Sequence, residues 1–584
     1  MKLKGFMCVS LVVAILLVFG SACSTGNTKS NESSGSPITS QAPGKDAESE
    51  SATRPIVTLT VRGADTGPIP GVQNNRVTEV IEEKLGIKID YQLSDPTKDK
   101  VALASGDLPD IMQIPITEMG VYIKGDHIVP LTDLIASNGQ EITNNVPKML
   151  EFSKKYLSDN TGLLYGLTAN NYVNVGDAAP VYSYPIGLTL RWDYYKEMGY
   201  PKINNEDDFL NVLAQMQKLH PTTADGKKVY GISGWNDWGL WPYFVPYVFS
   251  QGYLNGNNWT LIDGSSKVTP MFTHEGSAFK NAMKFMYKAN QLKLLDPEMF
   301  TQKNDNFIAK NKNLQFLSVP ATWWNVDALN TMQASGIKEG GYYLIPGANP
   351  VVYQGSGSML TGAISGKAIV ISKQSKHQDR AMDLLNFLYS YEGNRLLMSG
   401  IEGEHWEMEN GRPELKDSER EAMQTEANYV QKTGINLYHN FMGMSTESRD
   451  PEGNLLNVLL TDKSLELNAT EGDKDYNAQY GVSYPGQAFQ KLAEQGKAKI
   501  QFYDNTFQSL YPDLSNDLKM INGKIETYTK TWLPKLITAK DEGEFEKIWT
   551  NGVDEMNKLG LDTLMDWELQ QNIEALDKMK EINQ

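Results

Sequence analysis

Two groups of tryptophans in this 584-residue chain stand close enough to act together. Trp235-Asn236-Asp237-Trp238-Gly239-Leu240-Trp241 sets three indoles within one short stretch, with Tyr243 just beyond. Thr322-Trp323-Trp324-Asn325 follows a β-rich run from Phe316 to Val319 and a break at Pro320. The glycine in the first group favours a loop over a helix. An indole face covers an apolar surface, and carboxamides and carboxylates beside it satisfy a polar rim, which is the combination a small-molecule pocket needs. The competing reading is core, since tryptophan is often buried. Trp192, Trp532, Trp549 and Trp567 read as core, whereas Trp406, after Gly403-Glu404-His405, is a candidate for lining a cleft. Polar residues beyond strand ends are further binding candidates, because α/β sheets meet ligands there. These are Arg62, Asp65 and Asn74 after the first strand and Gln113 at the end of another. Arg191 and Asp193 suit either binding or a structural ion pair.

Other chemistries are poorly served. The two cysteines, Cys8 and Cys23, both lie at the N-terminus, so the body offers no disulfide framework, iron–sulfur ligands or thiol nucleophile. None of the six histidines forms an H-E-x-x-H pair. There is no G-x-S-x-G elbow and no G-x-x-x-x-G-K-[ST] loop. With 71 acidic residues, carboxylate pairs arise by chance and none is singled out as a glycosidase pair. A net charge of −17 argues against nucleic acid and against docking on anionic lipid. No catalytic residue, cofactor or metal is expected.

The elements that would position these residues begin after a leader. Lys2 and Lys4 precede an apolar run from Phe6 to Gly20, which as a helix would span about 22 Å, too short for the ~30 Å hydrocarbon core. This reads as a secretory signal over residues 1–22. Gly20-Ser21-Ala22-Cys23 resembles the lipobox of bacterial lipoproteins, which implies Cys23 as a lipidated N-terminus; it departs at Gly20, where leucine is usual. Residues 24–54 lack aromatics and cannot bury a core, and they would tether a head about 30 Å from a membrane. From Pro55, strand and helix alternate. The run from Ile56 to Val61 is a strand. A helix starts near Asn75 with Val77, Val80, Ile81 and Leu85 on one face and Gly86 after its end. Strands follow from Ile87 and Asp110. This alternation implies a mostly parallel sheet. A second run of the same kind has a strand from Tyr184 to Leu190 and a helix capped near Asn204 or Asn205. Residues 366–372 form another strand, and the chain from about Asp541 is helical.

Several segments taken in order carry a resemblance: SGDLPDI (105–111), VPLTDLI (129–135), GLLYGL (162–167), LRWDYYKEMGYPKINNEDDF (190–209), DGKKVYGIS (225–233), GKAIVISKQSKHQDRAMDLLNFLYSYEGNRLLMSGIEGEHW (366–406) and KLGLDTLMDWELQ (558–570). Together they resemble the extracellular solute-binding protein family 1, in its large Gram-positive lipoprotein branch serving carbohydrate ABC importers. The resemblance implies an α/β, two-lobed, type II periplasmic-binding-protein-like fold with mixed sheets flanked by helices, a hinge and a helical C-terminal region. Its implied organisation is a lipidated cysteine and tether at 23–54, lobe one at 55–185, lobe two at 186–355, a return to lobe one at 356–410, and a C-terminal region at 411–584 completing lobe two and the hinge. It implies a monomeric, non-enzymatic receptor on the outer face of the cell membrane that closes on a carbohydrate and hands it to permease subunits. On that reading Trp235, Asn236, Trp238, Trp241, Trp323, Trp324 and Asn325 would face the sugar, with Arg62, Asp65, Gln113 and Trp406. A peptide receptor on the same scaffold, or less readily a secreted glycan-processing enzyme, are the alternatives. Some relatives carry an EF-hand-type calcium loop where this chain has His220-Pro221-Thr222-Thr223-Ala224-Asp225-Gly226; only Asp225 could serve, so no metal is expected there. The Gly355-Ser356-Gly357-Ser358 loop suits either ligand approach or a hinge.

Overall fold

The computed structural model describes residues 55–63, 67–175, 181–255, 259–272, 276–354, 366–426, 428–502 and 510–583. The leader, the tether with Cys23, Asp65 and the glycine-serine loop at 355–358 lie outside them. Strand Val57–Gly63 sits at the centre of a five-stranded sheet, parallel to Ile87–Leu93 on one side and to Ile111–Pro115 on the other. Lys367–Ile371 closes the far edge antiparallel to Ile111–Pro115. Helix Arg76–Leu85 begins where Asn75 accepts the Thr78 amide and ends at Gly86, whose φ of 62° is the left-handed turn glycine allows.

Alternation along Ile111–Pro115 and Lys367–Ile371 sends their apolar side chains to both faces of the sheet. Ile111, Ile369 and Ile371 point into one core with Leu385, Leu388 and Phe441. Met112, Ile114, Ala368 and Val370 point into another, with Met119, Tyr122 and Phe152. That second core runs on without interruption into lobe two, whose own centre contains Leu190, Trp192, Phe209, Phe279, Trp532 and Trp549. The fold is thus the two-lobed, mixed α/β type II arrangement, with packing continuous between the lobes.

Among the described residues lobe two holds only small sheets. The strand read from Tyr184 to Leu190 shortens to Thr189–Arg191, paired antiparallel to Tyr342–Leu344. Pro185 and Gly187 interrupt it, and Pro185 spends its carbonyl on the Thr322 amide at 2.9 Å. The run from Phe316 to Val319 likewise makes a single bridge to Tyr230 and no ladder. The segment after residue 411 is divided. Tyr429, Leu437, Phe441, Met444 and Leu456 pack into the lobe-one core. Helices Asn516–Ile537, Glu542–Lys558 and Leu561–Asn583 lie on lobe two, although Glu581 of the last reaches Lys155 of lobe one at 3.5 Å. The expectation that 411–584 completes lobe two and the hinge therefore needs correction for its first part, because residues 429–456 supply apolar side chains to the other core.

Trp192 is buried as read, and its Nε1 donates to Asp475 on helix Glu471–Tyr480 at 2.8 Å. Lys196 and Tyr200 donate to the same carboxylate at 2.7 and 2.6 Å. Arg191 and Asp193 form a paired fork at 2.9 Å, which settles their role as structural. Burial pushes the Asp475 carboxyl up, but the hydrogen bonds from Lys196, Tyr200 and Trp192 outweigh it and hold it below the usual carboxylate range. A carboxyl held low stabilises the fold above its unfolded value near about 3.9 and loses that contribution as pH falls through the lower folded value. Asp475→Asn should cost about 1–3 kcal/mol in urea titrations at pH 7. The gap to the parent should narrow below about pH 4; a gap independent of pH would contradict this account.

Candidate functional site

The tryptophan loop is built from a buried charge upward. Asp296 is fully buried and accepts from Ser233 Oγ at 2.9 Å and Lys310 Nζ at 2.8 Å. Gln302 Nε2 donates to Ser233 Oγ at 2.9 Å and to the Gly234 carbonyl at 2.6 Å, while the Asn236 amide donates to the Gln302 carbonyl at 3.0 Å. The base of the loop is thereby fixed. Gly239, with φ 61°, then turns the chain into helix Trp241–Ser250.

The loop and the Thr322–Trp324 turn converge. Trp235 lies 4.7 Å from Trp324 and 5.3 Å from Trp238, centroid to centroid; Trp241 lies 5.7 Å from Trp238 and 6.1 Å from Trp323. These separations are those of edge-to-face and tilted aromatic pairs. The five indoles have unequal exposure. Trp235 is 0% and Trp324 8% exposed, whereas Trp238 and Trp323 are each 47% exposed. The expectation that Trp235 meets a ligand is therefore corrected: it is the floor of the cluster, packed on Phe307 at 4.5 Å. Trp324 shares that role, and its carbonyl accepts from Asn311 at 2.7 Å.

A cavity of about 840 Å³ opens beside this cluster, lined by Asn236, Asp237, Trp238, Trp241 and Tyr243. Thr117 of lobe one contributes to it, as do Tyr511, Lys519, Glu526 and Lys530 from the C-terminal region. Its volume suits a small-molecule site. Its charged lining consists, among the described residues, of Asp237, Asp513 and Glu526 against Lys519 and Lys530. Asp513 and Lys519 approach at 3.8 Å, and Asp237 accepts the Asn304 amide at 3.0 Å. Carboxylates outnumber ammonium groups, so the cavity does not favour an anion. A second cavity of about 480 Å³ contains Trp323 and Asn325.

The other sequence candidates are elsewhere. Arg62 is held by Asp99 at 3.0 Å and Gln92 at 2.9 Å and lines neither cavity. Gln113 donates to the Asn440 carbonyl, tying strand Ile111–Pro115 to the 438–441 segment. Trp406, expected at a cleft, is buried with Leu415 and Val458 and covered by Arg395 at 5.4 Å; burial of its apolar face outweighed the polar residues before it. In the 220–226 loop, Asp225 pairs with Lys227 at 2.8 Å. Among the described residues no group of three or more His, Cys, Asp or Glu could hold a metal ion, and no helix is long and apolar enough to cross a membrane. The C-terminal lining residues were missed, because Lys519, Glu526 and Lys530 carry the ordinary polar face of a helix and no motif marks them.

Two lobes, packed continuously and sharing an aromatic-walled cavity to which both contribute, define a solute-binding protein of the type II class. The chain belongs to the bacterial extracellular solute-binding protein family, whose sequence profile matches residues 75–395. It is similar to the fructooligosaccharide ABC transporter substrate-binding protein FusA of Streptococcus pneumoniae, 24% identical over 339 residues, a match covering 55% of this chain and 58% of that relative's length. The structure of FusA in complex with kestose aligns with a TM-score of 0.55 at 16% identity, covering 90% of this chain and all of that one (100%). An HMO-binding, ABC-transporter-associated solute-binding protein from Bifidobacterium longum infantis aligns with a TM-score of 0.55 at 14% identity, covering 88% of this chain and 98% of that one. At such identities the likeness carries the fold.

The unequal burial of the indoles gives a direct test. Trp235→Ala should cost about 3–5 kcal/mol in chemical denaturation. Trp238→Ala should cost less than about 1 kcal/mol. Equal costs would contradict the floor-and-face arrangement.

Proposed function

We propose that this protein is the surface receptor of an ABC importer and captures an uncharged carbohydrate at the junction of its lobes. The observation that carries the reading is the 840 Å³ cavity walled by Trp238 and Trp241 and edged by Asn236, Asp237 and Thr117. A sugar ring has an apolar C–H face for the indoles and a hydroxyl rim for the carboxamide, carboxylate and threonine groups. The excess of carboxylates in the lining favours a neutral ligand over a polyuronate. The family, and relatives named for fructooligosaccharide and HMO binding, support the same class. Cys23 would carry the lipid, 24–54 would serve as the tether, and permease subunits would receive the cargo from the monomer.

The ligand would act by stabilising a closed arrangement of the lobes through contacts on both sides, a shift between pre-existing states. Titration calorimetry and small-angle scattering test this together. Neutral oligosaccharides should bind and reduce the radius of gyration, Trp238→Ala should weaken binding at least about tenfold, and alginate oligomers should not bind. Binding without compaction would remove the closure mechanism, and preference for the acidic oligomer would remove the charge argument. In cells, Cys23→Ser should move the protein from the membrane fraction to the medium; retention at the membrane would exclude a lipid anchor at this cysteine.

A further inference from the structure

The second cavity, of about 480 Å³, shares no lining residue with the first. Three stretches of chain form it: Trp323 and Val326 from one, Tyr182 and Pro185 of the crossover from another, and Thr446 and Glu447 from a third. Its volume is that of a small-ligand site.

Glu447 is its one charged residue among the described residues, and no ammonium or guanidinium group of the lining balances it. Its backbone is fixed on both sides. The Ser445 amide donates to the Asn171 carbonyl at 2.8 Å; Ser448 Oγ donates to the same carbonyl at 3.2 Å and accepts the Val173 amide at 3.1 Å. Thr446 Oγ1 donates to the Glu447 carboxylate at 3.1 Å.

The other polar hydrogens of the lining turn into the protein. Tyr182 and Tyr343 donate to Asp473 at 2.7 and 2.8 Å, and Thr470 donates to it at 2.8 Å. Tyr342 donates to the Phe316 carbonyl at 2.7 Å, and Asn325 to the Tyr342 carbonyl at 2.9 Å. A sugar brings acceptors as well as donors, and its acceptors would go unmet beside hydroxyls already spent. A ligand that brings hydrogens and positive charge is matched instead.

Trp323 supplies the apolar half of the match. It is 47% exposed. The Trp324 and Trp241 rings beside it, at 5.0 and 6.1 Å, are tilted by 47° and 42°, so neither stacks flat upon it. An open indole face attracts a cation. The chain's net charge of −17 adds a general attraction for cations.

We infer that this cavity is a second binding site, separate from the one assigned to the carbohydrate, and that it takes a small organic ammonium ligand with an apolar body. Glu447 pairs with the ammonium group, and Trp323 with the crossover tyrosine covers the body. The inference stands independently of the carbohydrate reading.

Calorimetry with 2-phenylethylamine and tryptamine, each beside its neutral counterpart, 2-phenylethanol or tryptophol, tests it. At least one amine should bind, and its alcohol at least about tenfold more weakly. Glu447→Gln should weaken that amine at least about tenfold and leave the alcohol within about twofold of the parent. Trp323→Ala should weaken the amine and Trp323→Phe should keep most of its affinity. Trp238→Ala, in the first cavity, should leave the amine within about twofold. Melting temperatures check that each variant folds; if Glu447→Gln does not, the amine–alcohol difference in the parent and the response to Trp323→Phe decide. Failure of both amines to bind, equal affinity for amine and alcohol, or a loss in Trp238→Ala equal to that in Trp323→Ala overturns the inference. None of these results bears on whether the first cavity binds sugar.

Discussion

The site depends on one buried carboxylate. Asp296 has no access to solvent, and an unpaired charge in that position would be strongly destabilising. It is paired by Lys310 and bonded by Ser233, and its other oxygen accepts the Glu298 amide at 3.1 Å. Each partner comes from a different stretch of chain, so satisfying the charge brings the 233–240 loop, the 296–302 turn and helix Asn304–Lys312 together. The indole cluster inherits that frame. Phe307, on the same helix as Lys310, packs on Trp235, which carries the order of the polar network directly into the aromatic floor.

A floor of that kind decides which rings remain open. Five indoles cannot all present a face when each lies within about 6 Å of two or more others. Trp235 and Trp324 give up their faces to neighbours, and Trp238 and Trp323 keep theirs. The buried pair serves recognition through rigidity. A ring that stacks on a ligand loses little entropy on binding when its rotamer is already fixed.

Much of this frame was legible in the sequence, and the limits of legibility were physical. Helix ends could be read because capping is local: Asn75 and Asn205 accept amides three residues ahead, and Gly86 turns left-handed. The apolar segments after Asp110 and Gly366 could be read as strands, and the structure buries both of their faces. The tryptophan groups could be found by type and spacing, but not sorted into floor and face, because that depends on Phe307 and Asp296, distant in sequence. Arg62 looked like a free cation after a strand, whereas it is the next-to-last residue of the strand itself and pairs across to Gln92 and Asp99. Trp406 was misjudged because the polar residues before it say nothing about Val458 covering its ring.

The C-terminal chain shows why lobe assignment by order along the sequence is fragile. Residues 429–456 return to lobe one, the helix Glu471–Tyr480 is tied to lobe two by Asp475, and the last helix crosses back toward Lys155. In the first turn of helix Glu471–Tyr480 lies Asp473, which accepts from Tyr182 of the crossover and Tyr343 of lobe two on the same oxygen. Burial makes those bonds costly to break. The crossover at Tyr182 is therefore held to Tyr343 through one carboxylate. The same carboxylate forms a capping box with Thr470, so the position of the helix start and the position of the crossover are set by a single charge.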